Sequence, residues 1–223
     1  MLVTIEKLIS PQEVMEVRRI LDEATFVSGR VSAGKRAAAR KKNSEIPVGA
    51  NSLDSLNRIV MGALVRNETY RLATLPLKVA APFYARYVSG MYYDSHIDDP
   101  VMGDGPRYRS DVSITIFLNA PEEYQGGELC IDTSFGEQRI KQSAGSAVLY
   151  PSSTLHRVDE VTGGERLVAV TWLQSMVRSE AQRELLYKLA MARDQLFCEL
   201  PDSSACATVE QTYVNLVRMW SEV

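Results

Sequence analysis

Ser110 to Asn119 reads SDVSITIFLN, with Val112, Ile114 and Ile116 alternating against Ser113 and Thr115. β-branched residues at a period of two mark a strand with one buried face, because successive side chains leave a pleated strand on opposite sides. The same texture of short runs broken by Gly, Pro and Asn recurs on both sides: LKVAAPFYARYV (77–88), GELCI (127–131), EQRIKQ (137–142), SAVLYP (146–151), HRVDEV (156–161) and RLVAVTWL (166–173). Strands so spaced predict an all-β core, sandwich or barrel, and spacing alone does not choose between them. The site described below favours a double-sheet jelly roll.

Helices are expected on either side of this core. Ser10-Pro11-Gln12-Glu13 has the form of a capping box, with Val14, Val17, Leu21 and Ala24 then on one face. Leu53, Leu56, Val60 and Leu64 predict a second helix over about Ser52 to Asn67. Beyond Ser179, the stripes Ala181, Leu185, Leu189, Ala192, Leu196 and Val209, Tyr213, Leu216, Trp220 predict two more, split at Pro201-Asp202-Ser203. The chain therefore divides into an N-terminal helical segment packed on the core (1–76), the β core (77–177) and a C-terminal helical extension (178–223). A loosely held basic loop is expected near 28–47, where Arg30, Lys35, Arg36, Arg40, Lys41 and Lys42 meet no acid. It reads as a solvated face, with substrate contact at a site mouth as the alternative. The C-terminal helices are the candidate surface for a homodimer, against simple packing on the sheet.

A chain of 223 residues with 45% hydrophobic and 24% charged content is a globular protein with room for a sizeable core. A net charge of -3 gives no sign of nucleic-acid binding. The N-terminus lacks a signal-peptide pattern, and no run reaches membrane-spanning length. Cys130, Cys198 and Cys206 form neither a disulfide framework nor a C-x-x-C site, so a reducing cytoplasm is the expected home.

The chain has only two histidines, His96 and His156, and both lie beside strand-like segments. In an extended strand, His96 and Asp98 project to one face and can converge on an ion. A bare H-x-D is also compatible with a turn histidine and an Asp98-Asp99-Pro100 loop cap. His156, opening a strand after the turn Pro151-Ser152-Ser153-Thr154, is the only remaining histidine for a third ligand. Two imidazoles and a carboxylate on one face of an octahedron leave open positions, as non-haem iron(II) oxygenases require. Arg166 completes the pattern. A hairpin around Gly163-Gly164 would bring it near His156 on the inner face, where a buried guanidinium demands an anion. A dicarboxylate cosubstrate such as 2-oxoglutarate would chelate iron at one end and pair with Arg166 at the other. The alternative for Arg166 is a surface ion pair with Glu160 or Glu165.

Tyr87-x-x-Gly90-x-x-Tyr93-x-x-His96-x-Asp98, Phe117-Leu118-Asn119, Gly126-Gly127-Glu128-Leu129 and His156 through Arg166, in that order, resemble the iron(II) and 2-oxoglutarate-dependent prolyl 4-hydroxylase superfamily. The bacterial PKHD-type hydroxylases are the nearest likeness, and the segments ALVRN, VSAGKR and KKNSEI upstream also resemble that subgroup. The resemblance implies a jelly-roll dioxygenase, mainly β with flanking N-terminal and C-terminal helices. Its Fe(2+) ligands and catalytic residues would be His96, Asp98 and His156. Arg166 would hold 2-oxoglutarate, with Tyr87 hydrogen-bonding that cosubstrate or serving as an ordinary strand tyrosine. Dioxygen, L-ascorbate and a peptidyl or small-molecule substrate follow as partners. Several eukaryotic relatives have a tyrosine where this chain has Phe117, so a second donor is expected from elsewhere, with Ser113 and Thr115 as candidates. Gly126-Gly127 reads as a turn needing positive φ or close strand approach, and Trp172 and Tyr150 read as core or pocket lining. The rival readings are a zinc hydrolase using the same ligands and a non-catalytic jelly roll that senses iron or a small acid.

Overall fold

The computed structural model describes residues 1–30, 39–103 and 105–223; positions 31–38 of the expected basic loop lie outside the described residues. Along the chain run β1 (Val3–Ile5), α1 (Pro11–Glu23), β2 (Val27–Ser28), β3 (Lys41–Lys42), β4 (Ser44–Glu45), α2 (Ser52–Arg66) and α3 (Glu68–Thr74). There follow β5 (Pro76–Val79), β6 (Phe83–Val88), β7 (Tyr92–His96), β8 (Val101–Met102), β9 (Tyr108–Arg109), β10 (Val112–Phe117), β11 (Tyr124–Gly126) and β12 (Leu129–Thr133). The chain closes with β13 (Gly136–Ile140), β14 (Ala147–Pro151), β15 (His156–Val158), β16 (Val161–Ser175), α4 (Glu180–Glu199) and α5 (Ser204–Trp220).

The larger sheet has the order β1-β14-β10-β16-β6-β4-β2, with β11 and β5 also on β16; the smaller is β13-β12-β15-β7-β3. Register assigns the two faces of the larger sheet. Val112 pairs with Leu173, Thr115 with Val170 and Phe117 with Val168, while Tyr87 pairs with Arg166 and Phe83 with Val170. With alternation, Ser113, Thr115, Phe117, Val168, Phe83 and Tyr87 share one face, and Ile114, Ile116, Leu167 and Ala169 the other. The first face packs on Leu129, Ile131, Ile140 and Val158 of the smaller sheet. The second is covered by Val14, Val17, Ile20 and Leu21 of α1, Leu56, Val60, Ala63 and Leu64 of α2, and Tyr70 of α3. Each such aliphatic side chain contributes roughly 1.5–3 kcal/mol of burial free energy.

Local rules account for the helix ends. The Ser10 hydroxyl accepts from Glu13 N at 3.3 Å and the Glu13 carboxylate accepts from Ser10 N at 3.0 Å, the reciprocal box expected at α1. The second expected helix stops at Arg66, because Asn67 turns extended and its side chain accepts from Tyr70 N at 2.8 Å, starting α3, a helix that the pattern did not predict.

Two expectations need correction. On α4 the buried positions are Arg183, Leu186 and Ala190, while Leu185 is exposed. The face is set by Arg183, whose Nη1 donates to the carbonyls of Val177 and Arg178, both at 2.8 Å, a polar anchor that an apolar count overlooks. On α5, Tyr213 is buried and Leu216 and Trp220 pack against the same small cluster. The second correction concerns the end of the basic stretch. Lys41–Lys42 and Ser44–Glu45 are strands, paired with β7 and β6, and Lys41 is buried in an ion pair with buried Glu45.

Candidate metal and anion site

His96 ends β7 and His156 opens β15, and the two stand directly opposite one another in antiparallel register. Their rings are 4.3 Å apart, centre to centre. Asp98 follows β7 after one residue, and its Oδ1 lies 3.8 Å from Nε2 of each histidine. The three ligand-type atoms fall within 4.8 Å of one another, close enough to hold one metal ion, and all three side chains are largely buried.

The tautomers follow from hydrogen bonding. His96 Nδ1 is 2.7 Å from the Asp94 carbonyl and His156 Nδ1 is 2.9 Å from the Thr154 carbonyl. A carbonyl only accepts, so each Nδ1 carries the proton and each Nε2 presents its lone pair toward Asp98. Burial, reinforced by the neighbouring His156, lowers the His96 pKa to about 4, which keeps this imidazole neutral and able to ligate at neutral pH. Asp98 Oδ2 accepts from Trp172 Nε1 at 2.9 Å and from Ser113 Oγ at 2.5 Å, and Ser113 Oγ also meets Ser152 Oγ at 2.7 Å. One carboxylate oxygen is thus fixed by donors and the other is turned to the histidines.

A cavity opens on these three residues, lined also by Tyr87, Thr115, Tyr150 and Arg166 and by Lys41, Phe83, Tyr93 and Trp172. Arg166 is 1% exposed, with Tyr87 and Phe117 rings 5.1 and 5.7 Å from its Cζ. Its Nε and Nη1 are buried and have no hydrogen-bond partner. A buried cation without an acid is costly, so this donor set fits an anionic ligand and argues against the surface ion pair. Burial raises the Tyr87 phenol to about 12, leaving it a neutral donor.

The expected hairpin between His156 and Arg166 is not formed. β15 belongs to the smaller sheet and β16 to the larger, and Gly163 and Gly164 pair with Gln125 and Tyr124 of β11. His156 and Arg166 face each other across the sandwich, because the chain changes sheets between Val158 and Val161. Ser113, a candidate second donor for the anion, is engaged with Asp98, while Thr115 lines the cavity. Gly126 and Gly127 both have φ of 68, as the turn reading expects.

Three neighbours of the site carry no functional signal in the sequence. Trp172 reads as core or pocket lining, and only its period-two relation to Arg166 on β16 shows that its indole reaches the same face. Ser152 carried no signal beyond its turn. Lys41, in the basic stretch, has its ammonium over the rings of Phe83 (5.1 Å) and Tyr93 (5.5 Å), and Tyr93 stacks on His96 at 3.7 Å. No described helix is long and apolar enough to cross a membrane.

Residues 82–174 match the family model of the 2OG-Fe(II) oxygenase superfamily, and residues 180–222 match that of the PKHD-type hydroxylase C-terminal domain. A PKHD-type hydroxylase of Thioalkalivibrio sulfidiphilus is 48% identical, and one of Gluconobacter oxydans 43%, each alignment covering 100% of both chains. Among solved structures, a Pseudomonas putida prolyl-4-hydroxylase is similar in fold, with a TM-score of 0.54 at 22% identity over 78% of this chain and 92% of that one. A prolyl hydroxylase from Trichoplax adhaerens, solved with a hypoxia inducible factor peptide fragment, gives 0.57 at 18% identity over 82% and 86%.

Proposed function

This chain belongs to the PKHD-type hydroxylases of the 2OG-Fe(II) oxygenase superfamily, and from that premise we propose that His96, Asp98 and His156 are its iron ligands and Arg166 its 2-oxoglutarate anchor. The enzyme is an iron(II)- and 2-oxoglutarate-dependent dioxygenase. The single observation that carries the site assignment is the convergence of two Nε2 lone pairs on Asp98 Oδ1 at 3.8 Å, beside a buried arginine without an acid. When bound, iron(II) with 2-oxoglutarate and dioxygen supplies the oxidation: one oxygen atom enters a substrate C–H bond and the other enters succinate as carbon dioxide is lost.

The chain's own residues do the rest. His96 and His156 would ligate through Nε2, with orientation fixed by the Asp94 and Thr154 carbonyls. Asp98 supplies the negative charge, steered by Trp172 and Ser113. Arg166 orients the cosubstrate by its far carboxylate, with the Tyr87 phenol as a neutral neighbour on the same face. The apolar walls Phe83, Val168 and Val170 keep bulk water from the reacting centre.

The two facing sheets support a double-stranded β-helix for the core, with residues 1–76 and 178–223 as its helical flanks. The substrate class is a prolyl or peptidyl residue or a small metabolite, met at the Phe83, Tyr93 and Trp172 side of the cavity. Ascorbate enters as the reductant that restores iron(II) after uncoupled turnover, with no side chain assigned to it. Free Cys130, Cys198 and Cys206 support a cytoplasmic home, and the net charge of -3 supports the absence of nucleic-acid partners. Exposed Leu185, Met191 and Phe197 on α4 support self-association through the C-terminal helices.

The test is succinate release after protein loaded anaerobically with iron(II) and 2-oxoglutarate is given dioxygen. Wild type is expected to release succinate, and His96→Ala is expected to release none. Turnover that survives His96→Ala would show that the iron is held elsewhere.

A further inference from the structure

We propose that the Tyr124 phenol is the second hydrogen-bond donor to the carboxylate that Arg166 binds, so that arginine and tyrosine together form its cradle. The proposal rests on the reading of Arg166 given above and adds a residue that the sequence did not single out.

Tyr124 pairs with Gly164 across β11 and β16. Side chains two apart on a strand share a face, so Tyr124 is the diagonal neighbour of Arg166 on the inner face of the larger sheet. Gly164 permits the close backbone approach of β11, since a Cβ there would lie 2.1 Å from the Glu123 carbonyl oxygen and 2.8 Å from Tyr124 Cα. Gly127 reports the same convergence: a Cβ there would lie 3.1 Å from Arg166 Cδ and 3.2 Å from Tyr124 Cε2.

Tyr124 is 3% exposed and Arg166 1%. The Tyr124 hydroxyl, Arg166 Nε and Arg166 Nη1 are all buried, and none has a hydrogen-bond partner. Tyr124 and Arg166 lie close enough to interact, but as a pair they supply no acceptor for the phenol proton. The guanidinium nitrogens only donate, and a phenol that accepted one of them would still need an acceptor for its own proton. A carboxylate, with two oxygens and several lone pairs, serves all three and neutralises the charge.

Tyr87, Thr115 and Tyr150 line the cavity itself and are the other hydroxyl donors near Arg166. Ser113 Oγ donates to Asp98, Lys41 is paired with Glu45, and Phe117 has no hydroxyl. Among the described residues near Arg166, Tyr124 is the phenol whose hydroxyl is fully buried without a hydrogen-bond partner.

The experiment is calorimetric titration of anaerobic, Mn(II)-loaded protein with 2-oxoglutarate and with 2-oxopentanoate, which has the same chelating end but a methyl group in place of the far carboxylate. Tyr124→Phe is expected to weaken 2-oxoglutarate binding on the order of 10-fold, the scale of one hydrogen bond to a charged group. Its affinity for 2-oxopentanoate should not change, and its ligand-free melting temperature should equal or exceed that of wild type, since an unpartnered buried hydroxyl is removed. Binding of 2-oxoglutarate within twofold of wild type would overturn the assignment. So would an equal loss for both ligands, or failure of Tyr124→Phe to fold, either of which gives Tyr124 a packing role. If wild type itself does not prefer 2-oxoglutarate to 2-oxopentanoate, the Arg166 anchor fails first, and the proposal falls with it.

Discussion

The Trp172 indole nitrogen and the Asp98 carboxylate are 2.9 Å apart, and the oxygen that accepts from Trp172 also accepts from Ser113. Two donors on one oxygen leave the other aimed at His96 and His156. Groups that orient a ligating carboxylate are commonly worth about 10- to 100-fold in metal affinity. Trp172→Phe and Ser113→Ala are therefore each expected to weaken Mn(II) binding by a factor in that range. Titration calorimetry on the metal-free proteins checks this, and unchanged affinity in both would mean that Asp98 is held by the backbone alone.

This second layer marks the limit of what the sequence made legible. His96, Asp98, His156 and Arg166 stand out because histidine is scarce here and a two-residue spacing on a strand has one geometric meaning. The alternation in SDVSITIFLN likewise predicts β10, since period two leaves a direct trace of a half-buried strand. The partnership of Trp172 with Asp98 leaves none, because it depends on which strands pair across the sheet. For the same reason the predicted His156–Arg166 hairpin is absent: the two residues are near in sequence, whereas β15 and β16 lie in different sheets. Lys41 was hidden in a basic run whose burial is decided by pairing with β7.

The His96 imidazole gives a pH signature. Its folded pKa of about 4 lies below the ordinary 6.5, principally because burial disfavours the charged ring. The unfolded chain then binds the proton more readily, so the contribution to stability is complete above about pH 6.5 and is lost as pH falls toward 4. For the metal-free protein, this amounts to about 2 kcal/mol by pH 5 at the usual 1.36 kcal/mol per pH unit. Urea unfolding between pH 7 and pH 5 should show the loss, and His96→Gln should flatten that slope. An unchanged slope would mean that the imidazole is protonated in the folded protein.

Arg166 sets cosubstrate binding against stability. Its guanidinium is 1% exposed with two nitrogens unpartnered, so the ligand-free fold carries an unneutralised charge in its interior. Replacing buried ionic groups by apolar side chains of similar volume stabilises other proteins by about 1–4 kcal/mol. Arg166→Met is expected to raise ligand-free stability on that scale while abolishing the increase in melting temperature that 2-oxoglutarate confers on wild type. Thermal melts with and without 2-oxoglutarate decide the matter. A destabilised Arg166→Met would show that stacking on Tyr87 and Phe117 outweighs the burial of charge.

Adjacent glycines should respond differently to the same substitution. Gly126 and Gly127 both hold φ of 68, so alanine at either meets a left-handed penalty of roughly 1–2 kcal/mol. At Gly126 the new Cβ would lie 2.1 Å from the Glu160 carbonyl oxygen, a backbone atom in the segment where the chain crosses between sheets. At Gly127 it would meet side chains: Val161 Cγ2 at 2.8 Å, then Arg166 Cδ and Tyr124 Cε2. Side chains can yield where a backbone cannot. Gly126→Ala is expected to lose about 3 kcal/mol or more of stability. Gly127→Ala should lose less, yet raise KM for 2-oxoglutarate more, because the groups that must move are those at the carboxylate end of the cavity. Urea unfolding paired with cosubstrate kinetics separates the two, and equal effects on both readouts would mean that the turn responds as one rigid unit.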